Sequence, residues 1–202
     1  MLFAVKRDDF YRALKETSCA AKSAAVNSAL SHVLVQADSN SKMILLSCTD
    51  GNTFLQRRIP SLQIKEDGSV LFDARILTKY IELAETDVVI ATDQKSGTVY
   101  AGKAKMELQT IPVSEFPIPQ IEFPTQTVKV SGLKSLIHRS VFAAAHAEGK
   151  NVVLESVRFT FDANCGTATA TDQSVCAVAN LPKCADGEIG LILHQDPLSI
   201  LY

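Results

Sequence analysis

The chain has 202 residues, of which 47% are hydrophobic and 21% are charged, and its formal net charge is −2. This composition is that of a folded protein, because a disordered chain is poorer in apolar residues and richer in charge. A net charge near zero excludes a protein that coats DNA by charge alone, although contact along one local basic surface stays possible.

Nothing in the sequence predicts membrane insertion or secretion. No stretch approaches the roughly 18 consecutive apolar residues of a spanning helix, and charged residues within the first 15 positions interrupt any signal-peptide core. We therefore expect a cytoplasmic protein. Its cysteines show no metal-binding spacing, which predicts free, buried, reduced thiols and neither a metal ion nor a cofactor; they are Cys19, Cys48, Cys165, Cys176 and Cys184.

Four segments along the chain share one pattern, in which a short apolar strand is followed by a capping residue and an amphipathic helix. Their strands lie at residues 3–7, 70–72, 128–130 and 191–193, and consecutive segments are separated by 65, 60 and 62 residues. A fixed period of this kind indicates a repeated architecture. The predicted helix caps, whose side chains accept amide protons of the first turn, are Asp8, Asp73, Ser131 and the segment 194–196.

Apolar runs separated by turn sequences fill the space between the helices. The clearest turns are Asp50-Gly51-Asn52, Ser96-Gly97 and Asp162-Ala163-Asn164. Each repeat therefore reads as β-α-β-β-β, which predicts an α+β fold. Two repeats bury each other's apolar faces and make one domain of about 120 residues.

A cluster of prolines marks the predicted boundary between domains. Pro112, Pro117, Pro119 and Pro124 fall between the second and third repeats, as in a stiff, extended connector. We expect a first domain over residues 1–113, a linker over 114–125 and a second domain over 126–202. The fourth helix has no C-terminal cap, so we expect the second domain to be incomplete and the chain to be a piece of a longer protein.

The order and spacing of these motifs resemble the bacterial DNA sliding clamps, the beta subunits of DNA polymerase III. In the first domain the resemblance rests on Met1-Leu2-Phe3-Ala4-Val5, Asp9-Phe10, Ala13-Leu14, Cys48-Thr49-Asp50-Gly51, Asp67-Gly68-Ser69-Val70, Ala74-Arg75 and the segment from Lys105 to Pro117. In the second it rests on Phe142-Ala143-Ala144-Ala145 and Ala170-Thr171-Asp172.

The resemblance implies a DNA clamp fold, with β-α-β-β-β units paired into domains, helices on one face and antiparallel sheets on the other. It implies a ring that encircles duplex DNA without reading its sequence and tethers the replicative polymerase and other clients. Such a chain is a non-catalytic subunit of a DNA polymerase holoenzyme. Its implied partners are duplex DNA, DNA polymerase, clamp loader subunits and further copies that close the ring, and no membrane.

Basic residues recur on the predicted helices. Arg75 and Lys79 are four residues apart, as are Lys134 and His138, so each pair shares one helical face. From composition alone these cations, with Arg12 and Lys15, read more simply as ordinary solvated faces; the resemblance favours DNA contact for Arg75. The predicted DNA-binding residues are Arg75, Lys79, Lys22, Lys134, Arg139 and Lys150.

Three departures from the family pattern predict weaker or differently placed DNA contact. Ala24 stands where the family has an early basic residue, and Gln195-Asp196 replaces a basic pair. In the loop after the third helix, Glu148-Gly149-Lys150-Asn151, only Lys150 supplies positive charge.

The resemblance also implies a groove that binds short client peptides. The matching positions are Leu154, Thr171, Gln173, Ser174, Val175 and Cys176. The family usually has Gly where Gln173 stands and Arg where Val175 stands. These residues could instead be core residues at strand ends, and the sequence leaves both interpretations open.

Two other functions compete with the clamp. The segment Thr49-Asp50-Gly51-Asn52 partly matches a phosphatase motif, but Cys48 occupies the position of the nucleophilic aspartate, so an enzyme is not expected. The alternative is a clamp-like accessory module that binds a client protein and does not load on DNA. A steep loss of DNA binding with salt would favour the clamp.

Overall fold

Antiparallel strands dominate the structure, a computed structural model that describes residues 1–21, 28–93, 96–120, 127–146 and 151–201. All pairs of neighbouring strands in its three sheets are antiparallel. The chain divides into two units, Met1–Gln120 and Ile121–Tyr202. The boundary falls within the proline-rich segment.

The first unit contains nine strands and two α-helices within its described residues. These are β1 (Leu2–Val5), α1 (Arg7–Ser18), β2 (His32–Asp38), β3 (Met43–Thr49), β4 (Phe54–Pro60), β5 (Gln63–Glu66), β6 (Gly68–Asp73), α2 (Ala74–Leu83), β7 (Val88–Thr92), β8 (Ser96–Ala101) and β9 (Ala104–Gln109). They form a five-stranded sheet in the order β5-β1-β7-β8-β9 and a four-stranded sheet in the order β4-β3-β2-β6. The predicted β-α-β-β-β pattern is confirmed twice, with β5 as an additional strand.

One hydrophobic core joins both sheets and both helices of the first unit. Phe3, Phe10 and Phe72 are among its largest fully buried side chains, and the rings of Phe3 and Phe10 meet edge to face at 6.4 Å between centroids. On α1 the buried residues recur at the helical period, Phe10, Ala13, Leu14 and Thr17. Full burial of each large apolar side chain contributes about 1.5–3 kcal/mol, so this core dominates the stability of the unit.

The two helices of the first unit begin differently. The Asp73 side chain accepts a hydrogen bond from the Ile76 amide at 2.8 Å, which confirms the predicted cap of α2. The prediction that Asp8 caps α1 is wrong, because α1 begins at Arg7 after Lys6 and Asp8 lies in its first turn. There the negative charge still favours the helix through its dipole.

The start of α1 lies against the end of α2. The Arg7 guanidinium donates to the carbonyl oxygens of Ile81, at 3.1 Å, and of Glu82, at 2.5 Å. Tyr11 donates its hydroxyl proton to the Glu82 carboxylate at 3.0 Å, and this bond is the main reason that the pKa of Tyr11 is raised. Arg7 thus donates to carbonyl groups at the C-terminal end of α2, where the helix itself supplies few donors.

The second unit contains one four-stranded sheet and two short helices within its described residues. Its elements are α3 (Leu133–His138), β10 (Ser156–Phe161), β11 (Cys165–Thr171), β12 (Cys176–Pro182), β13 (Ile189–His194) and α4 (Gln195–Ser199). The strands lie in the order β12-β11-β10-β13. A separate core packs Leu136, Ile137 and Leu198 against Phe159 and the alanines of β11 and β12.

The third repeat departs from its predicted pattern in three ways. The strand expected at 128–130 is a single bridge between Val130 and Ala185. The helix expected to continue beyond residue 140 ends at His138, and the Ser140 hydroxyl donates to the Leu136 carbonyl at 2.8 Å. Ser131 is not the cap, because Gly132 holds that position with φ of 70° and the Ser131 hydroxyl donates to the Cys184 carbonyl. The third helix is therefore shorter than its apolar periodicity predicts.

The segment after β9 packs back onto the first unit. Ile111 forms a bridge with Leu71 at the edge strand β6. Phe116 is 5% exposed and joins Leu34 and Leu71 in a small cluster outside the main core. The chain is therefore anchored to the first unit as far as Phe116.

The five free cysteines differ in exposure. Cys48 and Cys184 are buried, and burial raises the pKa of Cys48 to about 12. The prediction of buried thiols is wrong for Cys19 and Cys176, which are exposed. Cys176 faces outward because it alternates along β12 with the buried Ala177.

We expect a thiol reagent at pH 8 to modify Cys19 and Cys176 in the folded chain, and to reach Cys48 and Cys184 only in denaturant. The reason is that the thiolate is the reactive form. Burial blocks access to both buried sulfurs, and it also raises the pKa of Cys48. Mass spectrometry after timed labelling measures this order. The double substitution Cys19→Ser and Cys176→Ser should remove the fast phase, and rapid labelling of Cys48 would contradict the assignment.

Candidate nucleic-acid interface and peptide groove

Two cations lie together on the exposed side of α2. Ala74, Leu77 and Ile81 bury the opposite side, which leaves Arg75 and Lys79 exposed one helical turn apart. Within the described part of the chain, no carboxylate lies within ion-pairing distance of either side chain. Both charges are therefore available to an external anion.

The neighbouring helix α1 adds two further exposed cations, Arg12 and Lys15. The two helices are in contact, since the hydroxyls of Ser18 and Thr78 lie 3.2 Å apart. Exposed cations therefore lie on both of these adjacent helices, and we call them the helix cations: Arg12, Lys15, Arg75 and Lys79. Acidic side chains are interspersed with them, since Asp8, Asp9, Glu85 and Asp87 line one pocket together with Arg12.

An acidic residue on α1 is drawn away from the helix cations. Glu16 lies four residues after Arg12, a spacing at which the two side chains commonly pair. Its carboxylate instead pairs with Arg57 on β4 at 2.5 Å. The packing of α1 against β4 therefore leaves Arg12 without this neutralising partner.

The cations of the second unit are arranged differently. Lys134 and His138 are exposed and four apart on α3. Arg139 is exposed, but its guanidinium donates to the carbonyls of Ser135 and of Asn180 on β12, each at 3.2 Å. Arg139 is thus held along the edge of the sheet. Lys22 and Lys150, with Ala24, Glu148 and Gly149, lie outside the described residues.

The start of α4 has no exposed cation. The Gln195 side chain is buried and donates to the Ala145 carbonyl at 2.6 Å. The Asp196 side chain is 79% exposed. A negative charge here disfavours phosphate.

Five of the six predicted groove residues lie on the tight turn between β11 and β12. The Asp172 carboxylate accepts from the amides of Ser174 and Val175, at 2.8 and 2.7 Å, and these bonds lower the pKa of Asp172. The Thr171 hydroxyl donates to the Val175 carbonyl at 2.7 Å. The turn leaves Val175 49% exposed, available to an apolar partner.

The same turn occurs in the first unit at Thr49-Asp50-Gly51. In each turn the threonine hydroxyl accepts from the amide two residues later, at 3.1 Å. The aspartate carboxylate accepts from the amides two and three residues after the aspartate. The third position has a positive φ in both, 95° at Gly51 and 78° at Gln173. Glutamine there adopts a conformation that favours glycine.

We expect Gln173→Gly to leave the turn intact and to raise the free energy of unfolding by up to about 1 kcal/mol. Relief of the left-handed backbone outweighs the added freedom of the unfolded chain. Gln173→Ala is the matched control and should give no such gain, because alanine retains the Cβ. Urea denaturation measures both variants, and a loss of stability in Gln173→Gly would show that the Gln173 side chain itself stabilises the turn.

The sixth groove residue, Leu154, lies on a different segment, just before β10. It is half-buried, and its carbonyl accepts from the Ala145 amide at 2.8 Å. A further open groove of about 660 Å³ in the second unit was not predicted; it is lined by His138, Arg139, Val141, Phe142, Val178, Ala179 and Asn180. The sequence feature that could have predicted this groove is Val178, because its place between the buried Ala177 and Ala179 on β12 puts an apolar side chain on the exposed face of the strand.

No helix in the described ranges has the length and apolar character needed to cross a membrane. Across the same residues, no group of three or more His, Cys, Asp or Glu side chains is arranged to hold a metal ion.

Comparison with known structures identifies the fold. The whole chain superposes on the DNA polymerase III subunit beta of Pseudomonas aeruginosa with a TM-score of 0.90, at 22% identity and over 56% of that chain. It also superposes on the DNA polymerase sliding clamp of Bacillus subtilis with a TM-score of 0.87, at 20% identity and over 56% of that chain. The architecture is the DNA clamp fold.

The sequence defines the family. Residues 1–121 match the family model of the DNA polymerase III beta subunit, N-terminal domain. The beta sliding clamp of Streptomyces coelicolor is 32% identical over 118 residues, which is 57% of this chain and 31% of that protein. The chain belongs to the DNA polymerase III beta subunit family, and it spans little more than half the length of the similar solved structures.

Proposed function

We propose that this chain acts in a DNA sliding clamp, a ring that encircles duplex DNA and tethers a polymerase and other clients to it. No bond is made or broken in this role, and no residue needs to be a catalyst. A closed ring stays on DNA by topology, so its contacts with DNA can be weak enough to permit sliding.

The single observation that carries this proposal is the exposure of the helix cations on two adjacent helices. Arg12, Lys15, Arg75 and Lys79 are exposed on two adjacent helices and have no carboxylate partner among the described residues. Cations of this kind attract phosphates without contacting bases, so they bind DNA without sequence preference. Lys134 on α3 extends the same chemistry to the second unit.

Ring closure requires more protein than one copy of this chain provides. The related solved structures are longer, and this chain covers 56% of the Pseudomonas aeruginosa subunit. We propose that the ring forms by self-association, with DNA polymerase and clamp loader subunits as partners of the complete assembly.

We propose that the turn between β11 and β12, with Leu154, binds short client peptides. A related clamp from Helicobacter pylori, 17% identical with a TM-score of 0.83, has been solved bound to a DNA ligase peptide. The exposed Val175 and Cys176 offer an apolar contact for a docked side chain. The rigid hydrogen-bonded turn pre-organises that contact, which lowers the entropy cost of binding.

A second candidate function is a clamp-like accessory module that binds a client but does not load on DNA. The observations that favour it are the exposed Asp196 at the start of α4 and the engagement of Arg139 with β12. Asp196 adds a negative charge, and the bonds of Arg139 hold its charge against β12, at places where DNA contact is expected.

Duplex binding measured from 50 to 300 mM salt separates the two functions. The clamp predicts binding whose logarithm falls linearly and steeply with log salt and does not depend on sequence. Absence of binding at the lowest salt, with retained client peptide binding, would establish the accessory module instead. Light scattering on the same samples reports self-association.

A further inference from the structure

The helix at the end of β13 is capped by a histidine where the first unit uses an aspartate. Asp73 ends β6 opposite His32, the first residue of β2, and His194 ends β13 opposite Ser156, the first residue of β10. The Asp73 carboxylate accepts from the Ile76 amide at 2.8 Å. At the corresponding position, His194 Nδ1 accepts from the Asp196 amide at 3.3 Å.

The hydrogen bonds of His194 define its proton arrangement. Because Nδ1 accepts a backbone proton, it carries none itself, and the neutral ring therefore has its proton on Nε2. Nε2 lies 3.2 Å from Oε2 of Glu155, to which it donates. Glu155 is 7% exposed, so this bond holds the ring in one orientation inside the unit.

A second carboxylate, besides that of Glu155, lies close to Nδ1. The Asp196 carboxylate oxygen Oδ2 lies 3.4 Å from it. A proton added to the Nδ1 lone pair would abolish its capacity to accept from the Asp196 amide. The imidazolium would then donate from Nδ1 to the Asp196 carboxylate and from Nε2 to Glu155.

We propose that His194 is a pH-dependent N-cap of α4, which caps the helix only while its ring is neutral. In the neutral form the ring caps the first turn, and in the protonated form it exchanges this cap for an ion pair with Asp196. Histidine is the side chain whose ordinary charge change falls between about pH 5 and 8. The first turn of α4 therefore responds to pH in this range.

The surroundings of His194 set the limits of this change. The charged groups that contact the ring are Glu155, just before β10, and Asp196 on α4. On β10 the nearest charged residue is Arg158, two positions after Ser156, the strand partner of His194. The rest of α4 is held independently of the ring, because Leu198 is 1% exposed and the Gln195 amide donates to the Glu155 carbonyl at 2.9 Å. The switch thus acts on the first turn and leaves the unit folded.

Nitrogen-15 NMR of the histidine ring on the unmodified chain tests the proposal directly. At pH 8 the spectrum should show the tautomer with the proton on Nε2, and at pH 5 a doubly protonated ring. Exchange of the Asp196 amide with solvent, corrected for the intrinsic effect of pH, should become roughly 2- to 30-fold faster on protonation, the range expected for loss of an N-cap bond. A proton on Nδ1 at pH 8 would overturn the proposal.

His194→Asn is the matched variant, because asparagine is a good cap and does not titrate in this range. Its Asp196 amide should stay protected from pH 8 to pH 5. Equal pH dependence of that amide in His194→Asn and in the parent chain would also overturn the proposal. The tautomer measurement on the parent does not depend on whether the variant folds.

Discussion

Replacing both Arg75 and Lys79 by alanine should weaken binding to duplex DNA about ten-fold near 100 mM salt, equally for all sequences. Each phosphate contact contributes about 0.9 to the slope of log affinity against log salt, so the slope should become shallower by roughly 1.8. Both side chains lie on the exposed side of α2 and contribute nothing to its buried face. Thermal unfolding should therefore be unchanged. Fluorescence anisotropy with two unrelated duplexes measures affinity and slope together.

The matched control removes the same charge from another surface of the same unit. Lys103 and Lys105 are exposed, at the connection between β8 and β9 and on β9 itself. Their double alanine variant has the same net charge as the α2 variant. If both variants lose affinity equally, binding depends on total charge and the helix cations are not the contact surface.

Gly97→Ala should destabilise the first unit by about 1–3 kcal/mol, the usual cost of overpacking a core. A Cβ added at Gly97 would lie 2.4 Å from two ring atoms of Phe72, whose side chain is fully buried. Gly97 is on β8 and Phe72 on β6, so this contact packs one sheet of the unit against the other. Urea denaturation measures the change, and duplex binding at low denaturant should be retained.

A double-mutant cycle identifies the cause. Phe72→Leu removes the ring atoms that clash with the new Cβ, so Phe72→Leu combined with Gly97→Ala should cost less than the sum of the single changes. Gly190→Ala is the control, because a Cβ there meets no described atom within 4 Å. Strict additivity of the two changes would mean that Gly97 is needed for another reason than room for Phe72.

The repeat could be predicted because the same pattern of apolar residues recurs along the chain and reflects burial of one face of each helix. Apolar residues at helical spacing after short strands gave the correct place for α1 and α2, and Asp73 gave the start of α2. The strand β5 was missed because Gln63–Glu66 contains one apolar residue and lies at a sheet edge, where burial imposes little pattern. The helix α3 ends at His138, earlier than predicted, because Val141 and Ala144 are buried from the turn that follows and their apolar spacing does not distinguish such a turn from a continued helix.

The candidate site was predictable in residue type but not in geometry. Sequence spacing placed Arg75 and Lys79 on one face, and the structure shows both exposed. The ion pair of Glu16 with Arg57 and the bond of Arg139 to the Asn180 carbonyl join residues 41 positions apart in the sequence. Tertiary contacts of this kind decide which cations remain available, and local sequence carries no information on them.

The contact of Phe116 with Leu34 and Leu71 has a mechanical consequence. Tension that reaches residue 117 along the backbone would act first on this small cluster and on the Ile111–Leu71 bridge, before it reaches β9. That load would pass through Leu34 and Leu71 to β2 and β6 of the four-stranded sheet, and only then to β9, the end strand of the five-stranded sheet.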